Sequence, residues 1–313
     1  MLKIYKTSAV EKKTRKVKKM TTDCWIDLIA PTIDEIDKVV ARTGIDKDLI
    51  VKLLDVEELP RVEQEGNATL IVIDIPYLEP TKDHKYTTYP LGIIITSNNF
   101  VITVSVKKTT LLNDFKRDKV KEFRTAKKTR FLIQIMLKAA SSYLKALKEV
   151  NTDMTEKEKV LKKSTENKDL IDLLDIEKTL VYFITSLKAN DAVLEKLSKG
   201  IILPLYEGDL DLLEDAIIEN KQAIEMSGIY KDILSSITDT YATIISNNLN
   251  IAMKFLAGAT IVLSIPTMIS SFLGMNLPLG GIEKGDNSFV GVLMISVVIS
   301  LLVALLLKKK NML

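Results

Sequence analysis

Cysteine and histidine are almost absent, with one residue of each in 313, Cys24 and His84. A single thiol can form neither an internal disulfide nor a zinc cluster, and a single imidazole cannot build a multi-histidine metal site. Cys24 lies in the apolar stretch Cys24-Trp25-Ile26, which favours a core residue over a reactive thiol. The sequence therefore gives no indication of soft-metal chemistry.

An excess of charge of one sign is also missing. The formal net charge is +3, from 44 basic and 41 acidic residues that are interleaved, so a nucleic-acid partner is not expected. No nucleophile with an adjacent base, phosphate-binding loop or metal triad is recognisable, so we expect neither an enzyme nor a small-molecule organic substrate. Residues 1–6 lack the apolar core of a signal peptide, which predicts that the N-terminal part stays in the cytoplasm.

Charge nearly disappears over residues 251–307, where two apolar runs, 251–273 and 288–307, are each long enough to cross a bilayer. A pair of buried core helices is the alternative, and the lack of any polar face on 288–307 disfavours it. The connecting segment 274–287 carries two acids and one base, whereas the tail carries Lys308, Lys309 and Lys310. By the positive-inside rule, the sequence predicts a multi-pass protein of the cell membrane with both termini in the cytoplasm.

The first hundred residues read as an α/β domain. Thr32 and Glu35 form a capping-box signature for a helix that ends at Gly44. The other predicted elements are strands at 25–30, 68–75, 86–96 and 100–106, the last two joined by a turn at 97–99, and a helix from Asp46 to about Glu58.

After Lys107 the composition changes to that of long helices, with one clear break around Pro204. From residue 209 the helical pattern continues without a stop signal into the first apolar run, which predicts one helix about 95 Å long. The predicted fold class is an α+β/α membrane protein with an N-terminal cytosolic α/β domain, a long helical stalk and two C-terminal transmembrane helices. Its predicted segments are the cytosolic α/β core 1–106, cytosolic helices 107–205, stalk helix 206–250, first transmembrane helix 251–273, extracytoplasmic loop 274–287, second transmembrane helix 288–307 and basic cytosolic tail 308–313.

Small and polar residues recur along the long helix at alternating spacings of four and three, which places them on one face. A dry coiled coil would carry Leu and Ile there, so the pattern favours a water-filled path between several copies, and its oxygen atoms suit hard cations such as Mg²⁺. Close helix packing through small residues is the alternative for the membrane part. The row, called the polar stripe below, consists of Asp232, Ser236, Asp239, Thr243, Ser246, Asn250, Met253, Ala257, Thr260, Ser264, Thr267 and Ser271.

The tripeptide Gly274-Met275-Asn276 stands where the first apolar run ends. Together with Asn250-Ile251-Ala252-Met253-Lys254, Pro266, a second span and the lysine tail, it resembles the CorA family of magnesium channels. The resemblance extends over essentially the whole chain, through Leu54-Asp55, Glu58, Pro60-Arg61-Val62-Glu63 and Tyr89-Pro90-Leu91-Gly92.

The resemblance implies a homopentamer in the lipid bilayer whose pore is lined by the first span. It implies that Asn276 selects the ion, with Gly274 and Met275 shaping its loop. It also places Asp215 in a site for regulatory Mg²⁺. Val51 and Lys52 stand where the family has the partner acids, so we expect the partner to be Asp55, Glu57 or Glu58. The implied pore-lining residues are Asp239, Asn250, Met253, Leu256, Ser264 and Thr267, to which the polar stripe adds Thr260.

The outer loop departs from the family pattern. Leu273 replaces an aromatic residue before the motif, and residues 277–281 replace an acidic segment. We expect passive Mg²⁺ uptake gated by cytosolic Mg²⁺, with a constriction at Met253 and Leu256. Co²⁺ or Ni²⁺ uptake, Zn²⁺ transport by the same architecture, and a non-conducting membrane-anchored scaffold are the alternatives. The three tail lysines would form a basic ring of about fifteen charges in a pentamer, or serve only as a topology signal.

Overall fold

The computed structural model describes residues 1–8, 13–79, 86–161, 167–275 and 288–310. The chain divides into two compact units, Met1–Ser236 and Ile237–Leu313. The first unit contains a mixed sheet with helices. The second contains the two apolar runs, both of them helical.

Seven strands of the described residues form one sheet in the order β2-β1-β3-β7-β6-β5-β4. Neighbouring strands are antiparallel except β3 and β7, which run parallel with Ile26 opposite Ile102. The strands are β1 (Leu2–Thr7), β2 (Thr14–Val17), β3 (Trp25–Ile29), β4 (Arg61–Glu65), β5 (Ala68–Leu78), β6 (Tyr86–Thr96) and β7 (Val101–Ser105).

The central strands are buried on both faces, which explains their unbroken apolar runs. In β5, Ile71 and Ile73 belong to one core cluster, whereas Leu70 and Val72 belong to the cluster on the other face. Cys24 is fully buried in this second cluster, and burial raises the pKa of its thiol, so its interpretation as a core residue is confirmed.

The helices follow the capping signals of the sequence. Thr32 accepts a hydrogen bond from the Glu35 backbone and the Glu35 side chain accepts one in return, while Gly44 ends the helix at a φ of 70°. The helices are α1 (Ile33–Thr43), α2 (Lys47–Lys52), α3 (Asn113–Lys116), α4 (Lys128–Leu161), α5 (Asn167–Ser198), α6 (Glu207–Leu273) and α7 (Ser288–Lys309).

The prediction of a helix from Asp46 to about Glu58 was wrong at its C-terminal end. Asp46 caps α2 as expected, but the helix stops at Lys52 and the chain turns there. The Asp55 side chain accepts a hydrogen bond from the Glu57 backbone amide at 3.0 Å, an arrangement that competes with helical hydrogen bonding.

A buried polar chain ties α3 to the sheet under a cluster of aromatic rings. Trp25 Nε1 donates to Thr103 Oγ1 at 2.8 Å, and Thr103 Oγ1 donates to Asp27 Oδ1 at 3.0 Å. Lys116 Nζ lies 2.7 Å from Asp27 Oδ2, an approach too oblique for a hydrogen bond, so its attraction is between the two charges. Phe131 packs edge-on against Trp25 with ring centroids 5.1 Å apart.

Gly92 on β6 leaves room for the side chain of Leu53, the residue that follows α2. A Cβ atom at this position would lie 2.3 Å from Leu53 Cδ1 and 2.7 Å from Leu53 Cγ, and Leu53 is fully buried. We expect Gly92→Ala to lower the free energy of unfolding by about 1–3 kcal/mol through overpacking. In chemical denaturation, Leu53→Ala should cost less in the Gly92→Ala protein than in the wild type, because it also relieves the clash. A Gly92→Ala protein as stable as wild type would show that Leu53 can move aside.

Candidate ion pathway

Helix α6 runs from Glu207 to Leu273 as one element of 67 residues, so the predicted unbroken helix is confirmed. At about 1.5 Å per residue it is on the order of 100 Å long. Pro266 lies inside it without ending it. A helix of this length carries the polar stripe along a single element.

All twelve residues of the polar stripe are exposed in the single chain. The positions of the apolar part of α6 that are not exposed are Gly258, Ala259, Val262, Ile265, Pro266, Ile269 and Leu273. With 3.6 residues per turn, all of them lie about 100° or more around the helix from Thr260. The chain itself therefore leaves the stripe uncovered.

Five of the seven hydroxyl groups of the stripe donate their protons to carbonyls of their own helix. Thr260 Oγ1 donates to the Leu256 carbonyl at 2.8 Å, Ser264 Oγ to the Ile261 carbonyl at 2.8 Å, and Thr243 Oγ1 to the Asp239 carbonyl at 3.0 Å. A hydroxyl whose proton is used in this way keeps its oxygen lone pairs for another partner. The stripe thus presents oxygen acceptors, which are suited to a cation or to its hydration water.

Both candidate spans are largely uncovered. The windows of highest mean hydropathy, 1.8 in α6 and 3.0 in α7, are each only 6% buried. Leu263 and Phe289 expose 71% and 79% of their surface. Apolar surface of this extent requires lipid or another protein chain around it.

The residues predicted to form a constriction lie on or beside the stripe. Met253 belongs to the stripe and is 61% exposed, and Leu256 lies at its edge and is 67% exposed. Two exposed apolar side chains therefore lie at this level of the stripe.

The predicted selectivity residues lie where α6 ends. The Gly274 amide donates to the Ser270 carbonyl at 2.9 Å, and a Cβ atom on Gly274 would lie 3.4 Å from that carbonyl oxygen. The Met275 amide donates to the Phe272 carbonyl at 3.4 Å, and the Met275 side chain is half exposed. Asn276 lies outside the described residues.

The acids at the start of α6 divide into two groups. Asp209 is buried and its Oδ1 lies 3.1 Å from Arg130 Nη1, and Glu219 accepts a hydrogen bond from the Ser141 hydroxyl. Asp211, Glu214 and Asp215, in contrast, are exposed.

The predicted regulatory ligands are not brought together in one copy. Asp55 and Asp215 are exposed, whereas Glu58 forms an ion pair with Arg61, which also contacts Glu63 at 2.9 Å. Among the described residues, no three acidic, histidine or cysteine side chains form a group that could hold a metal ion. The spacing of Glu58 and Arg61 could have revealed their pairing from sequence, whereas the Arg130–Asp209 pair joins positions too far apart for any local signal.

The lysine tail continues the end of α7. Lys308 and Lys309 are its last residues, and the Lys310 amide donates to the Leu306 carbonyl at 3.2 Å. All three lysines are exposed.

A soluble α/β unit joined to two apolar helices, one of which carries an uncovered row of oxygen acceptors, defines the class of membrane transport proteins. A family profile described as CorA-like Mg²⁺ transporter protein matches residues 22–309, so the chain belongs to the CorA family. Transporters are not a class of enzyme.

Similar proteins agree with this assignment. The cobalt/magnesium transport protein CorA of Methanocaldococcus jannaschii is 27% identical over 296 residues, which cover 92% of this chain and 90% of that protein. The complete structure of the CorA magnesium transporter from the same organism matches with a TM-score of 0.86 and 26% identity, covering 98% of this chain and 96% of that one. The full-length CmaX protein shares the fold, with a TM-score of 0.73 at 14% identity, covering 98% of this chain and 97% of that one. The resemblance to the family and the predicted fold class are therefore confirmed.

Proposed function

We propose that the protein is a channel for passive Mg²⁺ uptake across the cell membrane, with both termini in the cytoplasm. The uncovered row of oxygen acceptors on α6 is the observation that supports it most directly. Mg²⁺ is the ion named for the family, and Co²⁺ is a second candidate through the Methanocaldococcus jannaschii relative.

The uncovered stripe also supports an oligomer. One helix cannot enclose a water-filled path, whereas a ring of copies brings the stripe of each α6 to a common axis and covers it there. A homopentamer is the assembly implied by the resemblance. In it, the stripe residues Asp239, Asn250, Met253, Thr260, Ser264 and Thr267 line the path together with Leu256.

Selectivity is assigned to Asn276 at the outer mouth, with Gly274 and Met275 shaping the turn before it. Mg²⁺ gives up its water reluctantly, so a ring of amide oxygens that hydrogen-bonds the hydration shell avoids the dehydration cost. The amides of Gly274 and Met275 still donate to carbonyls of the last turn of α6, which supports placing both residues directly before the loop.

Growth of cells that lack magnesium uptake tests the proposal. The wild type should restore growth at low Mg²⁺, Asn276→Ala should not, and Asn287→Ala, which changes another asparagine of the same loop, should behave as wild type. Metal-resolved flux into vesicles then separates Mg²⁺ from Co²⁺, Ni²⁺ and Zn²⁺. Equal rescue by wild type and Asn276→Ala removes the selectivity role, and the absence of flux for every metal supports the scaffold alternative.

The gate is assigned to Met253 and Leu256, whose apolar side chains would close the ring by excluding water. Serine at both positions should therefore allow a leak of Mg²⁺ at high internal concentration, measured as flux from loaded vesicles. A double variant that stays closed under these conditions places the gate elsewhere.

Regulation by cytosolic Mg²⁺ is assigned to Asp215, which is exposed among other acids at the start of α6. Because a single copy gathers no three-acid group among its described residues, the site requires a neighbouring copy. Asp55 of a second copy is the better partner, since Glu58 already pairs with Arg61. Like charges at such an interface repel until a cation bridges them.

Flux measured against internal Mg²⁺ tests this regulation. Asp215→Lys should weaken the inhibition by Mg²⁺ by about tenfold or more, whereas Glu225→Lys, which changes an exposed acid further along the same helix, should leave it unchanged. A wild-type channel that is indifferent to internal Mg²⁺ ends the sensing proposal without affecting the pore.

The main role of the tail lysines Lys308, Lys309 and Lys310 is to fix the orientation of the second span, with its C-terminal end in the cytoplasm. In a pentamer they also form a basic ring at the cytoplasmic face. The proposed domain organisation is the one predicted from the sequence: the α/β core at 1–106, cytosolic helices at 107–205, the stalk at 206–250 and the spans at 251–273 and 288–307. The loop 274–287 lies outside the cell in this layout.

A further inference from the structure

A cavity of about 550 Å³ lies within the first unit, away from the polar stripe. It opens between the first turn of α4, the turn after β6 and the segment that leads into α6. Its volume is that of a small-molecule site rather than of a single ion. Its lining includes Asn99, Lys127, Lys128, Thr129, Pro204 and Tyr206.

The positive end of α4 faces this cavity. The Phe131 amide donates to the Lys127 carbonyl at 2.9 Å, so helical hydrogen bonding begins there. The backbone amides of Lys128, Thr129 and Arg130 precede any possible intrahelical acceptor, and none of them bonds another described group. Three such amides at the start of a 34-residue helix attract an anion.

Thr129 gives an independent indication of a ligand. It is only 7% exposed and lines the cavity, yet its hydroxyl bonds no described residue. Other hydroxyls on α4 are satisfied by the carbonyl four residues earlier, as in Ser142 to Lys138 at 2.7 Å and Thr152 to Lys148 at 3.0 Å. The Thr129 hydroxyl at the cavity wall is therefore free to bond a ligand.

The charges of the lining also favour an anion. Lys128 Nζ donates to the Thr96 carbonyl at 3.1 Å and to Asn99 Oδ1 at 2.8 Å. Its third proton is available to a ligand. Lys127 is exposed, and no described carboxylate pairs with it. Asp209, the carboxylate among the described lining residues, shares Arg130 with Glu122, and Lys127 and Lys128 keep the lining positive.

We propose that this cavity binds a small phosphate-bearing molecule, with the phosphate on the first turn of α4 and on Thr129. The other wall is apolar: Leu203 and Pro204 lie beside Tyr206, whose side chain is 66% exposed and can stack on a flat ring. A nucleoside monophosphate combines the two chemistries. This site is independent of the ion path and of the transport proposal.

Calorimetric titration of the full-length protein in detergent tests the site, with AMP, inorganic phosphate and adenosine as probes. AMP should bind, inorganic phosphate should bind more weakly at the same place, and adenosine should not bind measurably. Lys127→Gln and Thr129→Val should each weaken AMP binding about tenfold or more, because each removes a hydrogen bond to a charged group. Lys108→Gln, an exposed lysine outside the cavity, should have no effect.

Several outcomes overturn the proposal. The site does not exist if AMP fails to bind, or if its affinity is the same in Lys127→Gln as in wild type. Adenosine binding as tightly as AMP removes the phosphate assignment. Since Lys127 is exposed, its substitution does not depend on refolding of the core, and the result stands even if Thr129→Val fails to fold.

Discussion

Leucine at Ser264 should reduce Mg²⁺ flux by about 100-fold or more. The Ser264 hydroxyl donates to the Ile261 carbonyl and leaves its oxygen on the exposed stripe. In a ring of copies, leucine replaces each such oxygen with a branched apolar group, which narrows the path and excludes water from it. Raising the barrier by about 2.7 kcal/mol is enough for a 100-fold loss. Flux into vesicles at equal protein content measures it.

The matched control is Ser270→Leu, the same substitution at an exposed position of α6 outside the stripe. It should conduct close to wild type, because position 270 lies beside the stripe, about 100° around the helix from Ser271, and not on it. Normal flux through the Ser264→Leu channel means that ions do not pass along the stripe, and close helix packing then becomes the better explanation of its small residues.

Loss of Lys116 should destabilise the α/β unit severely. Asp27 is fully buried, and Lys116→Met leaves its carboxylate with the Thr103 hydroxyl as its nearest polar partner. Removing one member of a buried ion pair typically costs about 3–5 kcal/mol. Urea denaturation followed by fluorescence measures the change, and the single tryptophan, Trp25, lies beside this pair and reports on this core.

Lys138→Met is the matched control, since it breaks a partly exposed pair with Asp114 at 2.6 Å. Pairs of this kind contribute up to about 1 kcal/mol, so the control should unfold near the wild-type midpoint. The double variant Lys116→Met with Asp27→Leu should recover much of the loss, because no charge is then left buried. Equal midpoints for Lys116→Met and Lys138→Met contradict the buried-pair interpretation.

The sequence predicted the elements whose signals are local. The capping box at Thr32 and the strand Tyr86–Thr96 are as expected, because side-chain capping and an apolar run are legible within a few residues. Strand β4, Arg61–Glu65, was missed because Val62 is its one buried residue. It forms a strand because it pairs with β5, and its own composition does not indicate that pairing.

Strands β1 and β2 were missed for a related reason. Both are short and lysine-containing; β2 is the edge strand of the sheet and β1 lies next to it, and each has only one or two buried residues. The sequence pattern predicted too long a helix α2. The Asp55 side chain accepts a hydrogen bond from the Glu57 backbone amide, and the chain turns there instead of continuing the helix. A periodicity argument does not detect that competition.

Within the candidate pathway, the stripe was predictable because it repeats along one helix. The partners of the acids were not: Asp209 meets Arg130 and Glu219 meets Ser141 only after α4 and α6 have packed. These contacts leave Glu207, Asp211, Glu214 and Asp215 as the exposed acids at the start of α6. Tertiary contacts of this range leave no mark on sequence spacing.

The parallel pairing of β3 with β7 has a consequence for biosynthesis. The sheet cannot close until Ser105 has left the ribosome, since β7 is the last strand to be made. Ile251, where the first apolar run begins, lies 146 residues later. At about 5–20 residues per second, synthesis leaves about 7–30 s between the two events. The sheet can therefore be complete before the membrane insertion machinery meets the first apolar helix, so folding of the sheet and insertion of the helices need not compete for the same nascent chain.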